Sequence, residues 1–305
     1  MLTYLEEITI RLARGAAELP APLREKHARY LKEAQRPDGG FAGREGGSDL
    51  YYTGFALRGL SILGELYGPV ADRSAEFLRS RLASWETTID LMSLVYGVAL
   101  LEASAGIDVL ADQKAAWSRS VMKTLEALRR EDGGYAKGRR GAASSTYHTF
   151  LVLVCQQLLD TPTRQPERIV AFLDSQRCEG GGFREIRASK RAGTNPSAAA
   201  IGSLKILNSL RDDVGRETAR FLVGMQVEEG GLRANTRIPI ADLLSTFTGS
   251  LTLVDLASLD RLQIPAARRF VESLESAVGG FHGAAWDTTP DVEYTFYGIA
   301  SLAFL

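Results

Sequence analysis

Residues 279–305 read GGFHGAAWDTTPDVEYTFYGIASLAFL. A Gly-Gly-aromatic triplet is followed by a loop, an aspartate at 291, and an almost wholly apolar run. The same order recurs upstream. GGF starts at Gly39, GGY at Gly133, GGF at Gly181 and GGL at Gly230, so successive triplets are 94, 48, 49 and 49 residues apart. The first gap is twice the others, which predicts a degenerate unit near Ser84-Trp85-Glu86. Six units with a period of about 48 residues mean one supersecondary element repeated six times.

Each unit carries two kinds of helix. Before the glycines lie one-sided amphipathic segments such as HARYLKEAQ, IVAFLDSQR and ARRFVESLE, apolar at i, i+3 and i+4. After the loop lie segments apolar on most sides: TGFALRGLSIL, LMSLVYGVALL, TFLVLVCQQLL, AAAIGSLKIL, FTGSLTLVDL and FYGIASLAFL. Helices of the second kind must be buried, so they go inside and the amphipathic ones go outside. The last helix ends in SLAFL with no polar outer face. An open solenoid would need a polar cap there, whereas closure on the first repeat buries it. The expected fold is all-α, an α/α toroid of six inner and six outer helices, with an open superhelix as the alternative. Residues 1–22 read as an N-terminal amphipathic helix and 23–305 as one toroidal domain.

Composition narrows the function classes. The chain has 305 residues, 45% hydrophobic content and a net charge of −1, enough for a large core and without a field that attracts nucleic acid. Two cysteines without metal-type spacing, Cys155 and Cys178, argue against a disulfide scaffold. No signal peptide and no membrane span are expected, and a cytoplasmic protein is.

Aligning the inner helices puts Asp49, Asp90, Ser145, Asn195, Asp242 and Asp291 in one column. All are N-cap residue types, with Pro196 placed just inside its helix. The inner helices then all start at one rim, where six helix dipoles favour an anion. Loop charges divide that rim. Lys137, Arg139, Arg140, Arg184, Arg187, Lys190, Arg191, Arg233 and Arg237 form a basic arc. Asp38, Glu45, Asp49, Glu86, Asp90, Asp287, Asp291 and Glu293 lie opposite. A diphosphate seat is expected on Arg139, Arg140, Arg187, Lys190 and Arg191; ordinary solvated loop charge is the plain alternative. Below the rim, aromatic residues fill the first inner turns. Tyr52, Tyr96, Tyr147, Phe247 and Phe296 are the candidates to line an apolar cavity. His148 occupies the place of Tyr294 in the third repeat, as a base, a phosphate partner or a hydrogen-bonded structural residue.

The Gly-Gly pattern, the opening LREKHARYL and the closing DVEYTFYGIASLAFL resemble the β subunits of protein prenyltransferases, the Rab geranylgeranyl transferase type being closest in length. The resemblance spans Leu23 to Leu305 and extends to squalene-type cyclases. It implies a toroid with an isoprenoid in an aromatic cavity. The catalytic zinc of the prenyltransferases would fall on Asp242, Leu244 and Tyr294, so one ligand of three is kept. Zinc needs about three protein donors, so no zinc is expected and the cofactor reading is none. The family's diphosphate cations fall at Thr236 and Pro239, with Arg233 and Arg237 nearby but out of register.

The cyclase branch offers a second chemistry. Asp291-Val292-Glu293-Tyr294-Thr295 is similar to the Asp-x-Asp-Asp proton-donor motif, with Glu293 as the middle acid. Asp291, Glu293, Asp242, Tyr294 and His148 are therefore the candidate catalytic residues. The expected function is handling of an isoprenoid or prenyl diphosphate without zinc. The alternatives are acid-initiated cyclisation, or a non-catalytic toroid binding a lipid, a peptide or a partner. A helical partner subunit or a homodimer is expected as the assembly.

Overall fold

A computed structural model describes residues 2–84, 87–138 and 143–305. Trp85 and Glu86 of the degenerate second triplet, and Arg139 and Arg140 of the expected anion seat, lie outside the described residues. Thirteen α-helices are described. The first, α1 (Tyr4–Ala17), stands apart from the repeats. Six inner helices follow: α3 (Leu50–Ile62), α5 (Thr88–Ala105), α7 (Thr146–Leu158), α9 (Thr194–Ile206), α11 (Leu243–Asp255) and α13 (Val292–Leu302). Six outer helices alternate with them: α2 (Ala21–Glu33), α4 (Pro69–Arg81), α6 (Lys114–Glu126), α8 (Pro166–Ser175), α10 (Asp212–Val223) and α12 (Ile264–Ser273). Each inner helix packs on the next, and α13 returns to pack on α3. The expected α/α toroid is therefore the observed architecture, and it is closed.

The glycine pairs make the ring. Gly133 has φ +94°, which side-chain-bearing residues rarely adopt, and a Cβ there would lie 2.4 Å from the Arg168 carbonyl of α8. The same close approach joins Gly39 to α4, Gly181 to α10 and Gly230 to α12. In the sixth unit Gly279 has φ +107° and presses on Tyr30 of α2, so the last loop docks on the first outer helix. His27 of α2 seals that joint. It is fully buried, its Nδ1 accepts the Gly280 N–H at 3.1 Å, and its Nε2 meets Glu275 at 3.0 Å.

The residue after each glycine pair is held from the inner helix. The N–H of Phe41, Tyr135, Phe183, Leu232 and Phe281 donates to Thr53, Thr149, Ser197, Thr246 and Thr295 respectively, at 2.8–3.2 Å. Each of these hydroxyls sits four residues after its helix cap, so loop and helix start are locked together. In the third unit the loop also forms a two-stranded ribbon, Tyr135–Ala136 with Ser144–Ser145.

Caps divide the two layers. Asp49, Ser145, Asp242 and Asp291 accept backbone N–H bonds at inner starts, as the sequence predicts. Two columns shift. Thr87 caps α5, while Asp90 sits three residues in and answers as a capping box. Gly193 is the cap position of α9, which moves Asn195 and Pro196 inside the first turn. Outer helices α2, α4, α8 and α12 open with proline instead.

All inner helices start at one end. The first N–H of α7, α9 and α11 donates to the loop carbonyls of Glu185, Ala234 and Gly283 in the next unit, at 2.8–2.9 Å. Helix α5 has the length and composition of a membrane-crossing helix, yet here it is one staff of the inner ring, between α3 and α7.

Candidate functional site

The bore encloses a cavity of about 420 Å³, mostly apolar in lining. That is within the ~300–1,000 Å³ usual for small-molecule sites. Phe55, Tyr96, Tyr147, Phe150, Phe247, Phe296 and Tyr297 supply its aromatic walls. Four of the five expected aromatic residues, Tyr96, Tyr147, Phe247 and Phe296, are among them. Tyr52 is not; its neighbour Tyr51 lines the cavity in its place.

The reason is helical phase. Two residues after the caps stand Tyr51, Ile89, Tyr147, Asn195, Leu244 and Glu293, and the first five line the cavity. Three residues after the caps stand Tyr52, His148 and Tyr294, a further ~100° around, and these do not line it. Tyr52 packs on Gly43 and Tyr294 on Gly283, each in its own loop. Tyr294 also receives the Arg44 guanidinium 5.7 Å above its ring, and burial pushes its phenol up to about 12.

Helix α1 crosses the end of the bore where the inner helices finish. Tyr4, Leu5, Ile8, Thr9 and Leu12 of α1 line the cavity there. Helix α1 is fastened to the inner helix C-termini. Its Tyr4 N–H donates to Gln157 Oε1 at 3.0 Å, and the Tyr4 hydroxyl donates to Asp255 Oδ2 at 2.7 Å. The Asp255 side chain is 1% exposed and also pairs with Arg11 at 3.0 Å and Lys205 at 2.9 Å. Sequence reading found this helix as amphipathic but not its role as a floor.

At the mouth, the start of α13 carries two acids, and α3 meets one of them. Glu293 is 8% exposed, and its Oε1 accepts the Tyr51 hydroxyl at 2.6 Å. Burial pushes its carboxyl above the usual range, against the Tyr51 bond and with help from Asp291. Asp291 Oδ1 accepts the Tyr294 N–H at 2.9 Å and Oδ2 accepts Arg44 Nε at 3.2 Å. Burial raises it too, more than those bonds lower it. Arg44 grips Asp287 with its other two nitrogens at 2.8 and 2.5 Å. Sequence reasoning passed over Arg44, which crosses from the first loop and pairs with two acids of the acidic arc, Asp287 and Asp291.

The opposite side of the mouth carries Ser145, His148 and Glu185. Ser145 Oγ bonds Glu185 Oε1 and lies 2.9 Å from His148 Nδ1. Burial holds the imidazole down at about 4, so it is neutral. Its Nε2 is buried without a partner among the described residues. Glu185 lines the cavity; His148 does not. Arg187, Lys190 and Arg191 are exposed and none lines the cavity.

The residues at the three zinc positions do not fit that ion. Asp242 spends Oδ1 on the Ser245 N–H and Oδ2 on the Ser245 hydroxyl, at 2.7 and 2.8 Å. Leu244 is a cavity wall and Tyr294 faces the Gly283 loop. Among the described residues no group of three His, Cys, Asp or Glu side chains could hold a metal ion.

A profile of the prenyltransferase alpha-alpha toroid domain matches residues 15–76, 75–195 and 198–305. The chain belongs to the prenyltransferase toroid family. Within it, the β subunit of pea (Pisum sativum) protein farnesyltransferase is 22% identical over 248 residues. That match takes in 79% of this chain and 54% of the pea protein, so the chain spans about half the length of that relative. The toroid also overlays Candida albicans protein geranylgeranyltransferase-I complexed with GGPP, with TM-score 0.70 and 16% identity, over 92% of this chain and 90% of that one. A variant of the Scytonema type II terpene cyclase MstE, in complex with geranylgeranyl dihydroxybenzoate, overlays at TM-score 0.65 and 12% identity, over 98% of both chains.

Proposed function

We propose that this toroid holds an isoprenoid chain in its cavity, and that Glu293, held against the cavity-wall Tyr51 and itself just outside the lining, turns in to protonate an alkene of that chain and start a carbocation cyclisation. One observation carries the reading: a buried carboxyl, raised by its surroundings, is tied to a cavity-wall phenol at the mouth of an aromatic pocket. The Glu293 proton goes to one alkene carbon, and the π pair becomes the new C–H bond. The cation left on the other carbon is attacked by the next alkene. Phe55, Phe247, Phe296 and Tyr297 line the path, and aromatic faces attract a cation by about 0.5–2 kcal/mol each. The reaction ends when the product cation gives a proton to water, and Glu293, left as the carboxylate, takes a proton back from water. Asp291, paired with Arg44, holds charge beside the donor and favours the protonated form of Glu293.

Two known toroids favour an isoprenoid over other apolar ligands, since their complexes carry GGPP and a geranylgeranyl compound. The protein works without zinc on this reading, because Asp242 and Leu244 serve as a helix cap and a wall. Metal analysis of purified protein tests that, and a stoichiometric zinc content sinks it. The function itself is tested by incubating the full chain with geranylgeranyl and farnesyl compounds, free and as diphosphates, and analysing the extracts. Cyclised products that vanish in Glu293→Gln support the reading. Binding without any product, unchanged in Glu293→Gln, favours a non-catalytic carrier.

A further inference from the structure

The cavity walls hold a cation that forms no salt bridge among the described residues. Arg58 of α3 lines the cavity between the rings of Phe55 and Tyr96, its guanidinium carbon 4.7 and 5.0 Å from their centroids. Its hydrogen-bond partner among the described residues is the Met92 sulfur, a weak acceptor, 3.4 Å from Nη2. Its Nε is buried and has no partner among those residues. Ser93, next to Met92 on the facing helix α5, also lines the cavity, and its Oγ is likewise buried and unpartnered. The other charged residue of the lining is Glu185. It pairs with Ser145 across the mouth, not with Arg58; the carboxyl that does feel the Arg58 charge, Glu293, forms no ion pair with it among the described residues and accepts the Tyr51 hydroxyl.

Buried polar groups in folded proteins are almost always hydrogen-bonded, and a partly buried charge left unpaired is costly. Of the unpartnered buried polar atoms among the described residues, these two belong to residues that line the cavity. We infer that Arg58 and Ser93 form an anion subsite inside the cavity, taking the carboxylate of an isoprenoid acid. This rests on the reading that the cavity holds an isoprenoid, and adds the polar group that the chain must carry.

The charge argument selects the anion. A planar carboxylate matches one guanidinium fork with two parallel N–H bonds, and the serine hydroxyl donates a third. A diphosphate carries several negative charges. Placed here, it would keep more than one of them unpaired in an apolar pocket, which is strongly unfavourable. The rings around Arg58 fit the same assignment, since they hold the guanidinium in the cavity wall by its faces.

The test is calorimetric titration of the full chain with farnesoic acid, farnesol and farnesyl diphosphate. Wild type is expected to bind the acid roughly tenfold or more tightly than the alcohol. Arg58→Met keeps the apolar volume and should bring the acid down to the alcohol's affinity while leaving the alcohol unchanged. Ser93→Ala should weaken the acid about threefold. Arg58→Lys, which keeps the charge but not the fork, should retain part of the preference and serves if the methionine variant does not fold. Equal binding of acid and alcohol by wild type overturns the subsite but leaves the isoprenoid cavity standing. A diphosphate that binds more tightly than the acid, and loses that advantage in Arg58→Met, overturns the choice of carboxylate. No binding of farnesol or the acid removes the cavity reading and this inference with it.

Discussion

Tyr51 donates its hydroxyl to Glu293 at 2.6 Å across the joint where the last inner helix meets the first. The bond exists because the ring closes, for the two residues are 242 positions apart in sequence. It favours the ionised carboxylate, while burial and Asp291 favour the acid. A proton donor works in its protonated form, so turnover should be high at low pH and fall as pH rises through the raised pKa of Glu293. Tyr51→Phe removes the bond that lowers this pKa and should move the falling limb to higher pH. Glu293→Gln should cut turnover on the order of 100- to 10,000-fold, the usual worth of a general acid. A pH profile of product formation that is the same in wild type and Tyr51→Phe would remove Glu293 from the donor role.

The same shift predicts stability. The folded pKa of Glu293 lies above its unfolded value, so its contribution is complete at low pH. That contribution is lost as pH rises from the unfolded value through the folded one. Glu293→Gln does not ionise. It should therefore gain in Tm relative to wild type at about pH 8 and show little gain at about pH 4, below the ordinary glutamate value. Thermal melts at both values decide it, and an equal difference at the two would contradict the assigned shift.

His27 at the ring joint works with the opposite sign. Its Nδ1 accepts a buried N–H, and burial lowers its pKa below the unfolded value. Its contribution is present above pH ~6.5, the ordinary histidine value, and lost as pH falls toward the folded pKa. His27→Phe keeps the ring on Phe281 but leaves the Gly280 N–H unpaired. It should cost about 1–3 kcal/mol at pH ~7.5 and less at pH ~5. Urea unfolding at the two pH values measures both. A cost that grows on acidification would show that His27 is charged in the fold.

The fold was legible because its signals are local and repeated. Glycines that need positive φ, one-sided outer helices and two-sided inner ones recur along the chain, and each constrains the backbone directly. The cap column failed at Asp90 and Asn195, where Thr87 and Gly193 lie three and two residues earlier and take the cap position. The site was less legible. One residue of helical phase separates Tyr51 from Tyr52, and a rotation of ~100° decides which one meets the cavity. Arg44 and Arg58 were unreadable as site residues, because their importance comes from what is or is not across the ring. Helix α1 became a floor only through contacts with α3, α7, α9 and α13, which no periodicity encodes.

The hydroxyls that hold the loops should be worth a measurable amount each. Thr246 accepts the buried Leu232 N–H at 2.9 Å and donates to the Asp242 carbonyl at 2.7 Å. Thr246→Val keeps the shape and leaves that N–H without an acceptor, which costs about 1–3 kcal/mol. Ser197→Ala should act similarly on Phe183, with a small cavity added. Chemical denaturation of both variants checks the point. A change under a few tenths of a kcal/mol would mean that the glycine contacts alone carry the loops.

Asp255 is the anion that fastens the cavity floor. It lies at the C-terminal end of α11, where the helix dipole disfavours it, and is held by Tyr4, Arg11 and Lys205. Asp255→Asn leaves two cations facing each other without a counter-charge. Removing one partner of a buried pair costs ~3–5 kcal/mol. Arg11 and Lys205 remain 37% and 27% exposed, and solvent screens them, so the loss should fall at or below the lower end of that range. The effect should also be local. Amide exchange in residues 4–17 should speed up more than in the inner helices. Ligands that fill the cavity should bind more weakly, because α1 supplies five of its lining residues. A parallel Tyr4→Phe variant removes only the phenol bond and leaves the three charges in place. It should show the same exchange pattern with a smaller amplitude. If α1 stays protected in Asp255→Asn while global stability falls, the carboxylate supports the ring and not the floor.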